Sequence, residues 1–174
     1  MRLWDYAVQV YAVGGIKDCL LTLQDKHGGD VNIALWCLWC GYQNIAVPGT
    51  EVPSILSTAD SITAKVVRPL RRARRSLSEP RPEQDASAFA VLRQDVLALE
   101  QRAEQLVLNQ LERATLATGS RNAGPSGMQE TASSLFMLAL KHMDIAPTID
   151  DEGDPESPTR LFASILMLAK DHGP

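Results

Sequence analysis

Eight consecutive apolar residues, Ile33 to Cys40, constrain the fold of this chain more than any other feature of its sequence. Asp30 precedes the run at a position where its carboxylate can accept the free amide protons of a first helical turn, so we predict that a helix begins there. This helix is apolar on every side, and a helix of that kind is surrounded by protein. The run is far shorter than the roughly 20 residues needed to cross a bilayer. It predicts the central helix of a protein core and no association with a membrane.

The aromatic residues indicate where the densest packing lies. All three Trp, all three Tyr and all three Cys fall within the first 42 residues. Aromatic rings bury the most area per residue, so we expect the tightest core in this segment. Two further helices are predicted before the central one, ending at Gly14-Gly15 and at Gly28-Gly29, because glycine readily adopts the left-handed geometry of a helix C-terminus.

A long uninterrupted helix is predicted in the middle of the chain. Neither glycine nor proline occurs in residues 86–117, and both residues disfavour helix interiors. Apolar residues recur there in steps of three and four, which is a heptad-like seam. The seam consists of Phe89, Leu92, Val96, Leu99, Ala103 and Leu106. It predicts packing across the N-terminal helices or against a second copy of the chain, so a homodimer through this helix is one expected assembly.

These patterns together predict an all-α domain of about six helices spanning residues 1–174. An N-terminal helical core and a basic helix occupy residues 1–78, and the long helix occupies residues 85–118. After a flexible linker rich in Gly, Ser and Pro, a C-terminal pair of helices occupies residues 126–173. No strand is predicted.

Several short motifs of the N-terminal segment occur together in a known family. The motifs are Leu3-Trp4, Tyr11-Ala12, Cys19-Leu20, Leu23-Gln24-Asp25, His27-Gly28, Asp30-Val31-Asn32 and Leu35-Trp36-Cys37. In these motifs the chain resembles a family of short, uncharacterised proteobacterial proteins that share a domain of unknown function. Arg68-Pro69-Leu70-Arg71 and the helix from Leu92 to Leu111 resemble later parts of the same family's pattern. The resemblance implies a bacterial protein and brings no established activity with it.

The cysteines allow two chemical interpretations besides simple packing. Cys37 and Cys40 copy the spacing of a redox WCxxC motif, but in such motifs the attacking cysteine lies at a helix N-terminus, where the dipole lowers its pKa. Cys19, His27, Cys37 and Cys40 are the residue types of a structural zinc site, although zinc ligands usually lie on turns. We therefore predict buried thiols in a reducing cytoplasm, and no cofactor.

A polar cluster flanks the predicted turn at Gly28-Gly29. Asp25, His27 and Asp30 are candidate catalytic residues that a metal-dependent enzyme could use, with His27 as acid or base. The alternative interpretation is structural: Asp30 caps the central helix while His27 bonds the last carbonyls of the preceding helix. The sequence leaves both interpretations open.

A basic helix is the strongest surface feature. Its arginines are Arg68, Arg71, Arg72, Arg74 and Arg75. Residues 1–82 contain 10 Lys and Arg against 7 Asp and Glu, although the whole chain has a net charge of −4. Three interpretations are open: neutralisation within the chain by Glu79, Glu83 and the acidic C-terminal region, binding of an acidic protein partner, or binding of nucleic acid.

The preferred functional prediction is a cytoplasmic, non-enzymatic interaction or adaptor module that binds a protein partner through the basic helix. A metal-dependent enzyme that uses Asp25, His27 and Asp30 is the first alternative. A nucleic-acid-associated protein that uses residues 68–75 is the second. No aromatic residues alternate with the arginines to stack on bases, which disfavours the second alternative.

Overall fold

The computed structural model describes residues 1–79, 86–121, 127–145 and 154–172. Within them the chain forms eight α-helices, one π-helical turn and one pair of two-residue strands. The helices are α1 Leu3–Tyr11, α2 Ile16–His27, α3 Val31–Tyr42, α4 Val52–Ile62, α5 Arg68–Ser76, α6 Ala86–Thr118, α7 Met128–His142 and α8 Pro158–His172. The all-α prediction is confirmed, and so is the long helix. Eight α-helices are described, where about six were expected.

Helix α3 is the centre of the core. The Asp30 carboxylate accepts a hydrogen bond from the backbone N–H of Asn32 at 2.8 Å, so it caps the helix as predicted. No side chain from Ile33 to Cys40 is more than 4% exposed. The predicted central helix is therefore confirmed, and burial of its apolar run is the main contribution of this segment to folding.

The two buried indoles connect α3 to other parts of the chain. Trp36 Nε1–H donates a hydrogen bond to Thr115 Oγ1 of α6 at 2.7 Å. Trp39 Nε1–H donates to the carbonyl oxygen of Met1 at 3.1 Å. A buried indole N–H without an acceptor would be costly, so these two acceptors determine where α6 and the N-terminus lie against α3.

The C-terminal helices cover the N-terminal ones. Helix α7 packs along α3, and α8 packs along α2. The approach of α7 to α3 is close at Gly41, where a Cβ atom would lie 2.5 Å from the carbonyl oxygen of Met128 and 3.0 Å from Ala132 Cβ. Helices α7 and α8 are joined by Phe136 and Phe162, whose rings stack with centroids 3.9 Å apart.

The segment before the long helix forms two successive helices, α4 and α5. A π-helical turn, Thr63–Val67, joins α4 to α5. Pro69 lies in the first turn of α5, where its missing N–H leaves no hydrogen bond unmade. Helices α4 and α5 both pack against α6. This packing places the basic helix beside the middle of the long one.

Helix α6 does not bury the predicted seam as one face. Ala103 is buried, but Leu92, Leu99 and Leu106 are exposed. The helix instead turns a neighbouring face inward, with buried Glu100, Ala103, Val107, Leu108, Leu111, Glu112 and Thr115. Within the described chain the seam does not pack as one stripe, because ion pairs and the Trp36 hydrogen bond bring polar residues of α6 to the side that faces the other helices. Packing of the seam against a second copy stays a prediction.

Two short strands were not expected from the sequence. β1 Ile45–Ala46 pairs antiparallel with β2 Ser120–Arg121, with Ile45 opposite Arg121. This pairing attaches the start of the predicted linker to the loop after α3. The expected segment boundaries at residues 85, 126 and 173 lie outside the described residues. In the described ranges, the helices are too short or too polar to be candidates for crossing a bilayer.

Candidate functional site

The arginines of α5 line a groove on the protein surface. Arg68, Arg71, Arg72 and Arg75 follow one another in helical steps of three and one, so they lie on one side of α5. Together with Ala64 they line an open groove of about 440 Å³. We call this the arginine groove. Guanidinium groups are the side chains best suited to binding carboxylates or phosphates, and four of them lie at this surface.

Arg71 is held inside this cluster by acidic and amide groups of two other helices. Its Nη2 donates to Glu104 Oε1 at 2.6 Å and its Nε to Glu100 Oε1 at 3.3 Å. Its Nη1 donates to Gln24 Oε1 of α2 at 2.5 Å. Burial lowers the pKa of Arg71, but its hydrogen bonds to Glu104 and Glu100 outweigh burial and raise the pKa above its ordinary value. Arg71 is thus a fixed cation at the base of the arginine groove.

Arg74 lies next to Arg71 on the side of α5 that faces α6, and it makes a two-point ion pair. Its Nε donates to Glu100 Oε2 at 2.5 Å and its Nη2 to Glu100 Oε1 at 3.1 Å. Glu100 is only 4% exposed. A bidentate pair of this kind is geometrically specific and stronger than a single contact. Arg74, predicted as a partner-binding residue, is therefore joined to α6 and does not line the groove.

Arg75 bridges the basic helix to the polar turn of α2. Its Nη2 donates to Asp25 Oδ1 at 2.7 Å, and Gln24 Nε2 donates to the same oxygen at 3.2 Å. These hydrogen bonds from Arg75 and Gln24 lower the pKa of Asp25 below its ordinary value. Both charged side chains are about half exposed, so the pair is weak in energy and can exchange partners.

Arg68 and Arg72 are the two groove arginines without a hydrogen-bond or ion-pair partner in the described parts of the chain. Both are exposed. They are four residues apart, which places their side chains next to each other on the helix surface. The structure thus divides the five arginines into a neutralised set, Arg71, Arg74 and Arg75, and a free pair, Arg68 and Arg72.

Asp30 caps α3 close to the arginine groove. Burial raises the pKa of the Asp30 carboxyl, while the hydrogen bond from Asn32 N–H and the charges of Arg71 and Arg68 lower it. The Asp30 carboxylate therefore stabilises the start of α3, and the nearby charges that act on it are those of Arg71 and Arg68.

The structure assigns His27 a different partner from the one expected. Its Nε2 lies 2.7 Å from the carbonyl oxygen of Glu156, and the neighbouring Lys26 pairs with the Glu156 carboxylate. The last carbonyls of α2 accept instead from the backbone N–H groups of Gly28 and Gly29. The prediction that His27 bonds those carbonyls is wrong. His27 attaches the segment before α8 to the end of α2.

The candidate catalytic residues have separate partners. Asp25 pairs with Arg75, His27 with Glu156, and Asp30 with the N-terminus of α3. In the described ranges, no three side chains of His, Cys, Asp or Glu come together in a geometry that could hold a metal ion.

The cysteines are placed as the packing interpretation predicted. Cys37 and Cys40 are fully buried inside α3, and Cys19 is half-buried on α2. Burial raises the pKa of all three thiols. A thiol with a raised pKa is a poor nucleophile and a poor metal ligand. The candidate zinc ligands Cys19, His27, Cys37 and Cys40 are not brought together as a metal site in the described structure.

The individual partners of the basic helix were not identified from the sequence, which indicated only Glu79, Glu83 and the acidic C-terminal region. The arginines instead pair with Glu100 and Glu104 of α6 and with Asp25 of α2, and Arg71 also bonds Gln24. Glu83 lies outside the described residues. A signal was present, because Glu100 and Glu104 are four apart on one helix and Arg71 and Arg74 three apart on another, a spacing that matches when two helices pack side by side.

The fold and the site define a class: a helical protein with a buried aromatic centre and an arginine-lined groove, half of whose guanidinium groups are neutralised from within. The chain belongs to a family described as "Protein of unknown function (DUF2390)", which matches residues 2–111. The matched segment contains the arginine groove and most of α6, whereas α7 and α8 follow it. No curated protein and no solved structure matches the chain.

Proposed function

We propose that the chain is a cytoplasmic, non-enzymatic interaction module that binds an acidic protein segment in the arginine groove. The observation that carries the proposal is the free pair Arg68 and Arg72, exposed on an open groove whose other two arginines are already held by Asp25, Gln24, Glu100 and Glu104. Contacts with α2 and α6 already fix Arg71, so this side chain loses little conformational entropy on binding.

The spacing of the free pair favours carboxylates. Neighbouring guanidinium groups four residues apart on a helix present two planar forks, each of which matches one carboxylate. The Arg75–Asp25 pair at the end of the groove is half exposed, so an incoming carboxylate can replace Asp25 on Arg75. A short peptide with two or three acidic side chains therefore satisfies the groove.

Nucleic acid fits the groove less well. A protein that depends on phosphate contacts usually makes about 6–10 of them, whereas the free cations of the groove are Arg68 and Arg72 in the described structure. Asp25, Asp30 and Glu104 lie beside the groove arginines and repel a continuous phosphate backbone. The net charge of −4 acts in the same direction.

Fluorescence polarisation tests the proposal. The probe is a fluorescein-labelled peptide rich in glutamate, titrated with the full chain beside a labelled single-stranded DNA of equal charge. We expect the peptide to bind more tightly than the DNA. We expect R68A/R72A to weaken peptide binding at least about tenfold, since each charge-assisted contact contributes about 1.5–3 kcal/mol.

The matched control is K17A/R113A, which removes two exposed cations outside the groove. It therefore has the same net charge as R68A/R72A. This control should bind the peptide as the unaltered chain does. Equal losses in both double variants would show that only net charge matters and would overturn the proposal. Tighter binding of the DNA than of the peptide would also overturn it and would favour the nucleic-acid alternative.

A further inference from the structure

An apolar stripe runs along the exposed side of α6. Leu92, Leu99 and Leu106 are 50%, 50% and 56% exposed. Single exposed leucines are common and need no explanation. These three are seven residues apart, so they lie nearly on one line along the helix, with a drift of only about 20° per heptad. We call them the leucine stripe; it is about 21 Å long at 1.5 Å rise per residue.

Two opposite charges accompany the stripe. Asp95 and Arg102 are exposed, and neither has a hydrogen-bond or ion-pair partner in the part of the chain that the structure describes. Asp95 follows Leu92 by three residues and Arg102 follows Leu99 by three, so both lie on the same flank of the stripe. Asp95 lies about 6 Å before Leu99 along the helix axis, and Arg102 about 4.5 Å after it.

We propose that the leucine stripe is a homodimer interface in which two α6 helices pair antiparallel about a two-fold axis at Leu99. That axis places each Leu92 against the partner's Leu106 and keeps the same flank of both helices on one side. Asp95 of each chain then faces Arg102 of the partner, offset by only about 1.5 Å along the helix axis. The interface is self-complementary, as a two-fold dimer requires.

The charges favour the antiparallel pairing over the parallel one. A two-fold axis along the helices would place Leu92 against Leu92 and put Asp95 level with Asp95 and Arg102 level with Arg102, so that pairing gains no contact between opposite charges. The charge order along the stripe thus agrees with a second copy in one orientation. The dimer proposal does not depend on the proposed function, because the acidic peptide would bind on α5 and the dimer would form through α6.

Analytical ultracentrifugation of the full chain tests the interface. We expect a monomer–dimer equilibrium. L99D places two carboxylates at the two-fold axis and should raise the dimer dissociation constant at least about 100-fold, because two buried leucines are lost and like charges meet. L116D is the matched control on the same helix, since Leu116 is also exposed but lies off the stripe. Its dissociation constant should stay unchanged.

Circular dichroism of each variant establishes that it is folded.

Exchanging the charges beside the stripe provides a second test, in which no leucine is removed. D95R or R102D alone should raise the dissociation constant about tenfold, because each creates two like-charge contacts per dimer. The double variant D95R/R102D restores opposite charges and should return within about threefold of the unaltered chain. A strict monomer at the highest soluble concentration, or failure of the double variant to recover, would overturn the proposal.

Discussion

Arg74 and Glu100 form a two-point ion pair between the basic helix and the long helix, with N–O distances of 2.5 and 3.1 Å. Glu100 is buried, and its Oε1 also accepts a hydrogen bond from Arg71 Nε at 3.3 Å. A single carboxylate therefore joins two arginines that belong to one turn of α5. This shared carboxylate explains how a strongly basic helix packs against α6 while Arg68 and Arg72 stay exposed.

Removing the Glu100 charge should destabilise the fold. Glu100→Gln leaves Arg74 without an anionic partner at a nearly buried site, whereas Arg71 keeps Glu104. Breaking a buried ion pair on one side costs about 3–5 kcal/mol, and we expect a loss near the lower end of that range. Urea unfolding measures it. Glu79→Gln, at an exposed site, is the control and should change stability by less than about 0.5 kcal/mol. Equal stability of the two variants would contradict the structural role of Glu100.

The arginines should separate into stabilising and binding residues. Arg74→Ala leaves the Glu100 carboxylate short of its main partner, and we expect a loss of about 2–3 kcal/mol in unfolding free energy. Arg72→Ala removes an exposed side chain and should cost less than about 0.5 kcal/mol. The same urea experiment compares them. A larger loss for Arg72→Ala would show that the free pair is incorrectly assigned.

The contact of α3 with α7 should not tolerate a side chain at residue 41. Gly41→Ala gains up to about 1 kcal/mol in helix propensity. The added Cβ, however, would lie 2.5 Å from the Met128 carbonyl oxygen, so the helices must separate. We expect a net loss of about 1–3 kcal/mol, measured by thermal or urea unfolding. Gly14→Ala is the control because nothing lies within 4 Å of a Cβ added at that position.

The Asp25–Arg75 pair predicts a defined pH response. Hydrogen bonds from Arg75 and Gln24 lower the pKa of Asp25, so the folded state holds this carboxyl ionised more firmly than the unfolded state does. Its contribution to stability is fully present above the ordinary carboxyl pKa and disappears only as the pH falls through the lowered value. A carbon-detected NMR titration should show the lowered pKa. In Arg75→Gln the pKa of Asp25 should rise toward its ordinary value, and an unchanged titration would contradict the pair.

Thiol reactivity should distinguish the three cysteines. Cys37 and Cys40 are buried in α3 and Cys19 is half-buried, and burial raises the pKa of each thiol. With a chromogenic disulfide reagent at mildly alkaline pH we expect slow reaction of Cys19 alone in the folded chain. All three should react after unfolding in guanidinium. Rapid reaction of Cys37 or Cys40 in the folded chain would return the redox interpretation to consideration.

Local signals in the sequence predicted the centre of the fold. Asp30 and the apolar run Ile33 to Cys40 lie within one short segment, and both a cap and an all-round apolar helix are recognisable from neighbouring residues. The long helix followed from the absence of glycine and proline in the same way. These features depend on interactions between residues that are close in the chain.

The parts that were missed depend on contacts between distant residues. Heptad spacing in α6 could not reveal that Glu100 faces inward while Leu99 faces outward, because this orientation depends on Arg71 and Arg74 of another helix. The partner of His27 is 129 residues away in the sequence. The arginines were recognised, but their division into paired and free ones required knowing which carboxylates lie beside α5.

The position of α7 has a practical consequence for work on this family. The family match ends at residue 111, inside α6, before any residue of α7 or α8. A fragment cut at that boundary would uncover the side of α3 that Ala132 and its neighbours shield, together with the face of α2 that α8 occupies. Such a fragment should expose apolar surface and aggregate. We therefore expect a stable fragment to extend beyond the segment that matches the family and to include α7 and α8.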